Sequence, residues 1–251
     1  MASVNILDWR GEVAKYAKGV DNASYTTLLD DEIKEVLRDF CERTHLWTQT
    51  LSPFVDVVAN TSAYDIYSLI DDSDGDADIE IVESVQYKED GDDNDQLRAL
   101  WPMTDWINDD AEPTAGRVYG NTGSWRYVTA PQPTHFYIDT DKTLNLYPIP
   151  TVKSDEGLRV ALVLKPRDDA TEVPEFIYKD WKKAIAWGAA GRLLGMTTQK
   201  WFNRDLGDYY WDKYKQRRTA ALLKKQTGFT RRDLKVQIPN YGGSRSRTWV
   251  F

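Results

Sequence analysis

The spacing of apolar residues changes twice along the chain, which divides it into three zones. In the first zone apolar residues recur every three or four positions, the spacing of an amphipathic helix. This spacing predicts a helix over about 27–46, and a shorter helix is predicted over 6–18. The apolar stripe of the longer helix consists of Leu29, Ile33, Val36, Leu37, Phe40, Cys41 and Trp47.

In the second zone, residues 50–166, apolar and polar residues alternate, which is typical of strands. Clusters of Gly, Pro and Asp separate eight or so predicted strands, and the acidic stretch 89–95 is predicted to be a hairpin tip. The strands are predicted at 54–58, 64–67, 79–87, 97–101, 125–128, 135–138, 144–147 and 158–164. Such a series favours an antiparallel sandwich or a small barrel.

The third zone returns to the helical spacing, with helices predicted over 174–195 and 203–225. A glycine inside a helix costs about 0.5–1 kcal/mol relative to alanine, so we expect another helix to approach closely there. The residues predicted to form this helix packing are Trp181, Ala184, Trp187, Gly188 and Gly191. After Gly228 no regular spacing remains, and the sequence predicts an extended arm.

Together these patterns predict an α+β fold. We expect a helical bundle of the first helix and two long C-terminal helices, with an inserted antiparallel β-sandwich or barrel-like region and an extended C-terminal arm. The predicted domains are a helical domain formed by 1–49 and 167–227, a β-rich domain over 50–166, and a docking arm over 228–251.

Charge is distributed unevenly around the net charge of −8. Residues 179–251 contain 17 Lys and Arg against 5 Asp and Glu, whereas residues 1–178 contain 15 against 35. This asymmetry predicts attraction between the acidic body of one copy and the basic part of another. Solvated loops and ordinary helix surfaces would give the same counts, and that alternative stays open.

Composition excludes several classes of protein. With 41% hydrophobic and 29% charged residues the chain is typical of a soluble globular protein, and it has no apolar run of membrane-spanning length. Its N-terminus has no visible signal peptide. A single cysteine, Cys41, excludes an intrachain disulfide framework, and two histidines, His45 and His135, exclude a His-rich metal site.

The sequence contains little catalytic chemistry. Cys41 and His45 are four residues apart on one helix and both lie near its apolar stripe, so core packing is favoured over a thiol–base pair. The acidic stretch 71–78 fails as an EF-hand, because positions one and twelve counted around Gly75 are Ile70 and Ile81. We therefore expect no enzyme, no cofactor and no metal site.

A basic region with aromatic residues gives a modest case for nucleic-acid binding. It consists of Trp181, Lys182, Lys183, Arg192, Lys200, Arg204, Arg217, Arg218, Lys224, Lys225, Arg231 and Arg232. No recognition module accompanies it, and a pI near 4.9 opposes a dedicated DNA-binding protein.

Three stretches of the predicted helices have a recognisable pattern of residues: 31–47 in the first helix, 173–194 in the long small-residue helix, and 201–203 followed by Tyr210 and Tyr214 in the second long helix. Each is similar to the corresponding helix of the head-to-tail adaptor (connector) proteins of tailed bacteriophages. The resemblance covers about 27–47 and 173–218, and these are packing motifs.

The resemblance implies a structural virion protein, made in the host bacterial cytoplasm, that forms a ring of about twelve copies beneath the portal. The ring would continue the DNA channel, contact double-stranded DNA without sequence specificity, and receive the next tail component, a stopper or nozzle protein. No membrane is implied.

Two surfaces are candidates for these contacts. The arm is expected to dock on the portal or a neighbouring copy through Arg231, Arg232, Ile238, Tyr241, Arg245, Arg247, Trp249 and Phe251. An acidic loop is expected to face the channel, where it would repel phosphates, or the outside; it contains Asp71, Asp72, Asp74, Asp76 and Asp78.

Two other classes remain open at this point. The first is a β-sandwich binding module for carbohydrate or protein, with Trp101, Trp106 and Trp125 as stacking platforms. The second is a hydrolase that uses a pair among the 40 acidic residues.

Overall fold

The structure of the chain, a computed structural model, describes residues 2–19, 25–52, 54–68, 70, 76–88, 97–103, 128–139 and 142–227. Within these ranges the helices are a 3-10 turn at Ile6–Trp9, α1 (Arg10–Val13), α2 (Thr26–Thr44), α3 (Glu175–Leu194) and α4 (Arg204–Gln226). The strands of the same ranges are β1 (Ser3–Asn5), β2 (Thr48–Thr50), β3 (Val55–Val57), β4 (Ala63–Asp65), β5 (Ala77–Tyr87), β6 (Arg98–Ala99), β7 (Trp101–Pro102), β8 (Thr129–Ala130), β9 (His135–Ile138), β10 (Thr143–Tyr147), β11 (Ile149–Pro150), β12 (Ser154–Pro166) and β13 (Glu172–Pro174).

The predicted helix over 27–46 is confirmed as α2. Its apolar stripe is buried as the spacing requires, and the helix ends at Thr44. His45 then takes the left-handed conformation, with φ 51°, and its backbone N–H donates to the carbonyl of Cys41 at 2.9 Å. This is an ordinary helix termination, because a residue with positive φ turns the chain away while satisfying one of the last carbonyls.

The two C-terminal helices also follow the predicted ranges closely. Pro174 ends β13 and directly precedes α3, so it caps the helix instead of occupying its first turn as the range 174–195 implied. The Asn203 side chain accepts a hydrogen bond from Leu206 N and so begins α4. The helix predicted over 6–18 is shorter, because the 3-10 turn and α1 end at Val13.

β12 is the centre of the largest sheet. β2 and β3 pair along one side of it, β5 pairs along the other, and β6 continues beyond β5. A second sheet has the order β4-β10-β9-β7, and the two-stranded sheets are β1-β13 and β8-β11. Two of the pairs, β7 with β9 and β8 with β11, are parallel, which departs from the expected antiparallel arrangement.

Most predicted strands occur close to their predicted positions. Those at 135–138 and 144–147 are confirmed as β9 and β10. The strand predicted at 97–101 is split into β6 and β7, which join different sheets. The predicted hairpin tip at 89–95 lies outside the described residues, as does the predicted strand at 125–128 apart from Val128.

The predicted fold, a helical bundle that carries an inserted sandwich or barrel, is wrong. The described residues are about 39% helical and 31% strand, and the strands lie in several sheets. The helices do not form a separate bundle, because α2 packs against β12. Ile33 and Phe40 of α2 share one continuous core with Leu162 and Leu164 of β12, so helices and the main sheet bury their apolar faces against each other.

Lys165 forms ion pairs with both a helix and a strand of the main sheet. Its Nζ lies 2.9 Å from Glu42 of α2 and 2.8 Å from Glu80 of β5. Burial alone would lower the pKa of this ammonium group, but its hydrogen bonds to the two carboxylates outweigh burial and raise it. The charged form is therefore held between two elements that are far apart in sequence.

Candidate functional site

The three long helices meet at glycines, where backbones come into contact. A methyl group on Gly188 would lie 2.5 Å from Cγ1 of Val36, and one on Gly191 would lie 2.9 Å from the backbone N of Trp211. One on Gly207 of α4 would lie 3.1 Å from the carbonyl O of Gly191. The close approach gains dispersion contacts that offset the cost of glycine in a helix. It also fixes how α4 presents its outer face.

The other residues predicted to pack the helices occupy different environments. Ala184 is buried, and Trp181 is 9% exposed, with its ring 5.6 Å from that of Phe40. Trp187 is only partly buried and lies at the surface, where it lines a groove. Trp187 is six residues from Trp181, which places it about 120° away around α3 and off the buried stripe.

A polar cluster fastens α2 to α4 beside the glycines. Tyr214 Oη donates to Asp39 Oδ2 at 2.6 Å, Arg218 Nη1 donates to the same oxygen at 2.5 Å, and Arg43 Nε lies 2.9 Å from Oδ1. Burial by itself would raise the pKa of Asp39, but the hydrogen bonds from Tyr214, Arg43 and Arg218 outweigh burial and lower it. For Tyr214, burial and the neighbouring carboxylate both raise the pKa of the phenol.

A groove of about 670 Å³ lies on the outer side of this helical unit, between α3, α4 and the turn after α1. Four of its eight lining residues are aromatic: Tyr16 lies 5.3 Å from Tyr210 and 6.3 Å from Trp187, measured between ring centroids, and Tyr209 is the fourth. Tyr209 is 54% exposed at the rim. Lys213 and Arg217 add two positive charges to the lining.

Glu12 lies next to the groove and contacts Tyr16, one of its lining residues. The carboxylate is 8% exposed, accepts from Lys15 Nζ at 2.5 Å and lies 3.4 Å from Tyr16 Oη. The hydrogen bond from Lys15 is the largest influence on its pKa, which is lowered despite burial. Glu12 therefore remains charged at neutral pH and fixes the position of the Tyr16 ring.

The acidic residues near position 75 divide into two groups. Asp76 Oδ2 accepts hydrogen bonds from Thr171 N at 2.7 Å, Thr171 Oγ1 at 3.0 Å and Glu172 N at 2.8 Å. Asp78 pairs with Lys142 at 2.9 Å. Both carboxylates thus hold parts of this subunit together, while Asp71, Asp72 and Asp74 lie outside the described residues.

Several other candidates also fall outside the described part of the chain. Among the proposed tryptophan platforms, Trp101 is 70% exposed on β7, whereas Trp106 and Trp125 are not described. The whole arm is likewise outside: Arg231, Arg232, Ile238, Tyr241, Arg245, Arg247, Trp249 and Phe251.

The candidate reactive groups occupy structural positions. Cys41 is buried, and burial raises the pKa of its thiol, which keeps it protonated. Across residues 2–227, excluding the gaps already given, no three His, Cys, Asp or Glu side chains gather in a way that would hold a metal ion. In the same ranges, no helix combines the length and apolar character needed to cross a membrane.

Comparison with known proteins gives one decisive match. The model of the SU10 adaptor protein family matches residues 4–235. The chain belongs to this family. The match extends from β1 through the sheets to α4, so it includes the core, the helical junction and the groove. Among curated proteins, no significant match was found.

This SU10 adaptor protein is accordingly a structural protein of a bacteriophage virion, and the resemblance predicted from its helices is confirmed. The aromatic groove was not predicted from the sequence, because Tyr16 and Tyr209 are separated by most of the chain. One pattern points to it: Tyr209, Lys213, Gln216 and Ala220 follow a spacing of four, three and four, and all of them line the groove.

Proposed function

We propose that this SU10 adaptor protein assembles into a ring of about twelve copies that joins the portal to the next tail component and continues the DNA channel. Membership of an adaptor family supports contact with portal and tail proteins. The observation that carries the ring is the separation of charge. The chain is strongly acidic before residue 179 and strongly basic after it.

A ring needs two different surfaces on each subunit, because head-to-tail contacts join unlike faces. α2 belongs to the acidic part of the chain and α4 to the basic part, and both helices contribute to one core. Their mutual packing holds the two surfaces at a fixed angle to each other. A fixed angle is what allows a head-to-tail series of contacts to close.

The arm and the acidic loop have distinct roles in this proposal. The arm over 228–251, with its arginines and terminal aromatic residues, docks on the portal or on the neighbouring copy. Asp71, Asp72 and Asp74 of the acidic loop repel DNA phosphates where the loop borders the channel. Neither role requires a reactive group.

Electron microscopy of particles tests the proposal. A phage that lacks this gene should accumulate DNA-filled heads without tails, and supplying the chain in trans should restore tailed particles. Image averages of the restored particles should show a ring at the junction. Normal tail attachment without the protein would contradict the proposal.

Deleting residues 228–251 tests the arm separately. We expect the truncated chain to fold, because it keeps the whole continuous core that residues between Ile6 and Ala221 build. It should fail to be incorporated into heads that carry the portal. Undiminished incorporation would contradict the docking role of the arm and would leave the proposed ring unaffected.

A further inference from the structure

The groove presents two cations without an ionic partner in the described part of the chain. Lys213 contacts the Tyr209 ring at 5.5 Å, and neither Lys213 nor Arg217 forms an ion pair there. They are one helical turn apart, so their Cβ atoms are about 6 Å from each other. Four aromatic rings lie beside them in the lining of the groove.

The outer face of α2 presents two acids with the same spacing. Asp31 and Glu35 are exposed, stand one helical turn apart, and have no ion-pair partner among the residues described. The other acids of this helix are occupied: Glu32 pairs with Arg192, and Asp39 with Arg218. Asp31 and Glu35 therefore remain as a matched pair for two external cations.

These two surfaces do not meet within one subunit. The buried stripe of α2, which includes Ile33, Leu37 and Phe40, lies on the opposite side of that helix from Asp31 and Glu35. Tyr214 of α4 points inward towards α2, while Tyr209 and Lys213 lie on the outer side. The groove cations and the α2 acids therefore lie on different helices, and no ion pair joins them among the described residues, so each surface stays available to another copy.

We propose that the groove of one copy receives the outer face of α2 of the next copy, with Lys213 and Arg217 opposite Asp31 and Glu35. This inference rests on the proposed ring and names the two surfaces that close it. The aromatic rings cover the stems of the α2 side chains, while the charge pairs set the register. The contact repeats around the ring, because every copy carries both surfaces.

The C-terminal segment is the other occupant available in this chain, and charge disfavours it. Residues 228–251 contain five Lys and Arg and one Asp, the same sign as the groove cations. Like charges that face each other oppose binding. The acidic face of α2 has the opposite sign and the matching spacing.

Disulfide cross-linking in assembled particles tests the contact directly. A chain carrying Glu35→Cys and Lys213→Cys is supplied to the phage that lacks the gene, and purified particles are oxidised. We expect a ladder of covalently linked copies on a denaturing gel. The matched control is Glu35→Cys with Thr219→Cys, which places the second cysteine on an exposed part of α4 outside the groove.

Charge reversal tests the electrostatic part. Asp31→Lys with Glu35→Lys, or Lys213→Glu with Arg217→Glu, should each reduce the number of tailed particles by about tenfold or more. The fourfold variant restores opposite charges across the contact and should recover most of the loss. All three chains should unfold at the wild-type denaturant concentration, since the changed residues lie on the surface.

The cross-linking and charge-reversal experiments distinguish the proposed contact from its alternatives. Particles that contain several copies but give no ladder would overturn this contact and leave the proposed ring standing. If Lys213→Cys forms the ladder with Ser244→Cys and not with Glu35→Cys, and charge reversal has no effect, the groove belongs to the arm and the α2 contact is overturned. A single copy per particle would overturn both proposals.

Discussion

The phenolic hydroxyl of Tyr214 donates a 2.6 Å hydrogen bond to the carboxylate of Asp39, which fastens the middle of α4 to α2. The same carboxylate also binds Arg218 and Arg43. Both helices supply an outer face to the proposed contact between copies. The Asp39 cluster therefore determines how far apart those two faces are held.

Replacing Asp39 tests this cluster. Asp39→Ala leaves Tyr214 and Arg218 without their shared acceptor, and we expect a loss of about 1–3 kcal/mol in the free energy of unfolding. Tyr214→Phe removes one hydrogen bond and keeps the Arg218 pair, so it should cost about 1 kcal/mol. Urea denaturation measures both. Equal values for the two variants would show that neither Arg218 nor Arg43 adds to the stability that the cluster provides.

Acid should weaken the fold through Asp39, Glu12 and Asp76. The pKa of each is lowered in the folded protein, so each contribution is complete above the unfolded-state pKa near about 4. It is lost as the pH falls further towards the folded-state pKa. The free energy of unfolding should therefore be level near neutral pH and decline below about pH 4.

The variant Asp39→Asn serves as the control for acid sensitivity. It lacks one of the three titrating carboxylates, so its unfolding free energy should depend less on pH than that of the wild type. Urea denaturation at several pH values measures this difference. A decline that begins near pH 6 would point to a group other than these acids.

Adding a methyl group at Gly191 should destabilise the helical junction. Its Cβ would lie 2.9 Å from a backbone nitrogen and 3.1 Å from a backbone oxygen of α4, and backbone cannot rotate away. We expect Gly191→Ala to lower the free energy of unfolding by about 1–3 kcal/mol despite the better helix propensity of alanine.

Gly11→Ala is the matched control for that substitution. A Cβ at Gly11 meets nothing within 4 Å, so the change should stabilise the protein by up to about 1 kcal/mol. Thermal unfolding of both variants gives the comparison. Equal effects at the two positions would contradict the close approach of α3 and α4.

Asp76 should control the order of the segment that precedes β13. Asp76→Ala removes the acceptor for the backbone N–H groups of Thr171 and Glu172, and we expect a loss of about 1–3 kcal/mol. Hydrogen exchange at these two amides should accelerate more than exchange within β12. Unchanged protection would show that the carboxylate is not their main partner.

The helices were predictable because the residues that determine a helix lie close together in the sequence. The spacing of Leu29, Ile33 and Phe40 identifies α2, and Asn203 supplies the cap that begins α4. Strand pairing is different, since alternation identifies a strand without naming its neighbour. β5 and β12 pair along most of their length although about seventy residues separate them, so the fold class predicted from the sequence was wrong.

The candidate site was predictable only in part for the same reason. The small residues Gly188 and Gly191 indicate a close helix neighbour, but nothing in the sequence identifies Gly207 as the partner. Tyr16 joins the groove only because the turn after α1 packs beside α3. Counting charges showed an acidic and a basic part of the sequence. Only the structure shows that Asp76 is hydrogen-bonded within the subunit, whereas Asp31 and Glu35 are exposed.

Pro174 belongs to β13 and at the same time caps α3, so strand and helix are joined without a hinge. The proline ring fixes the backbone angle at this junction, with φ −56°. β13 is also paired with β1, so the strand that leads into α3 belongs to a two-stranded sheet. The start of α3 therefore cannot swing independently of the β1-β13 pair, so any displacement of this helix must also displace those two strands.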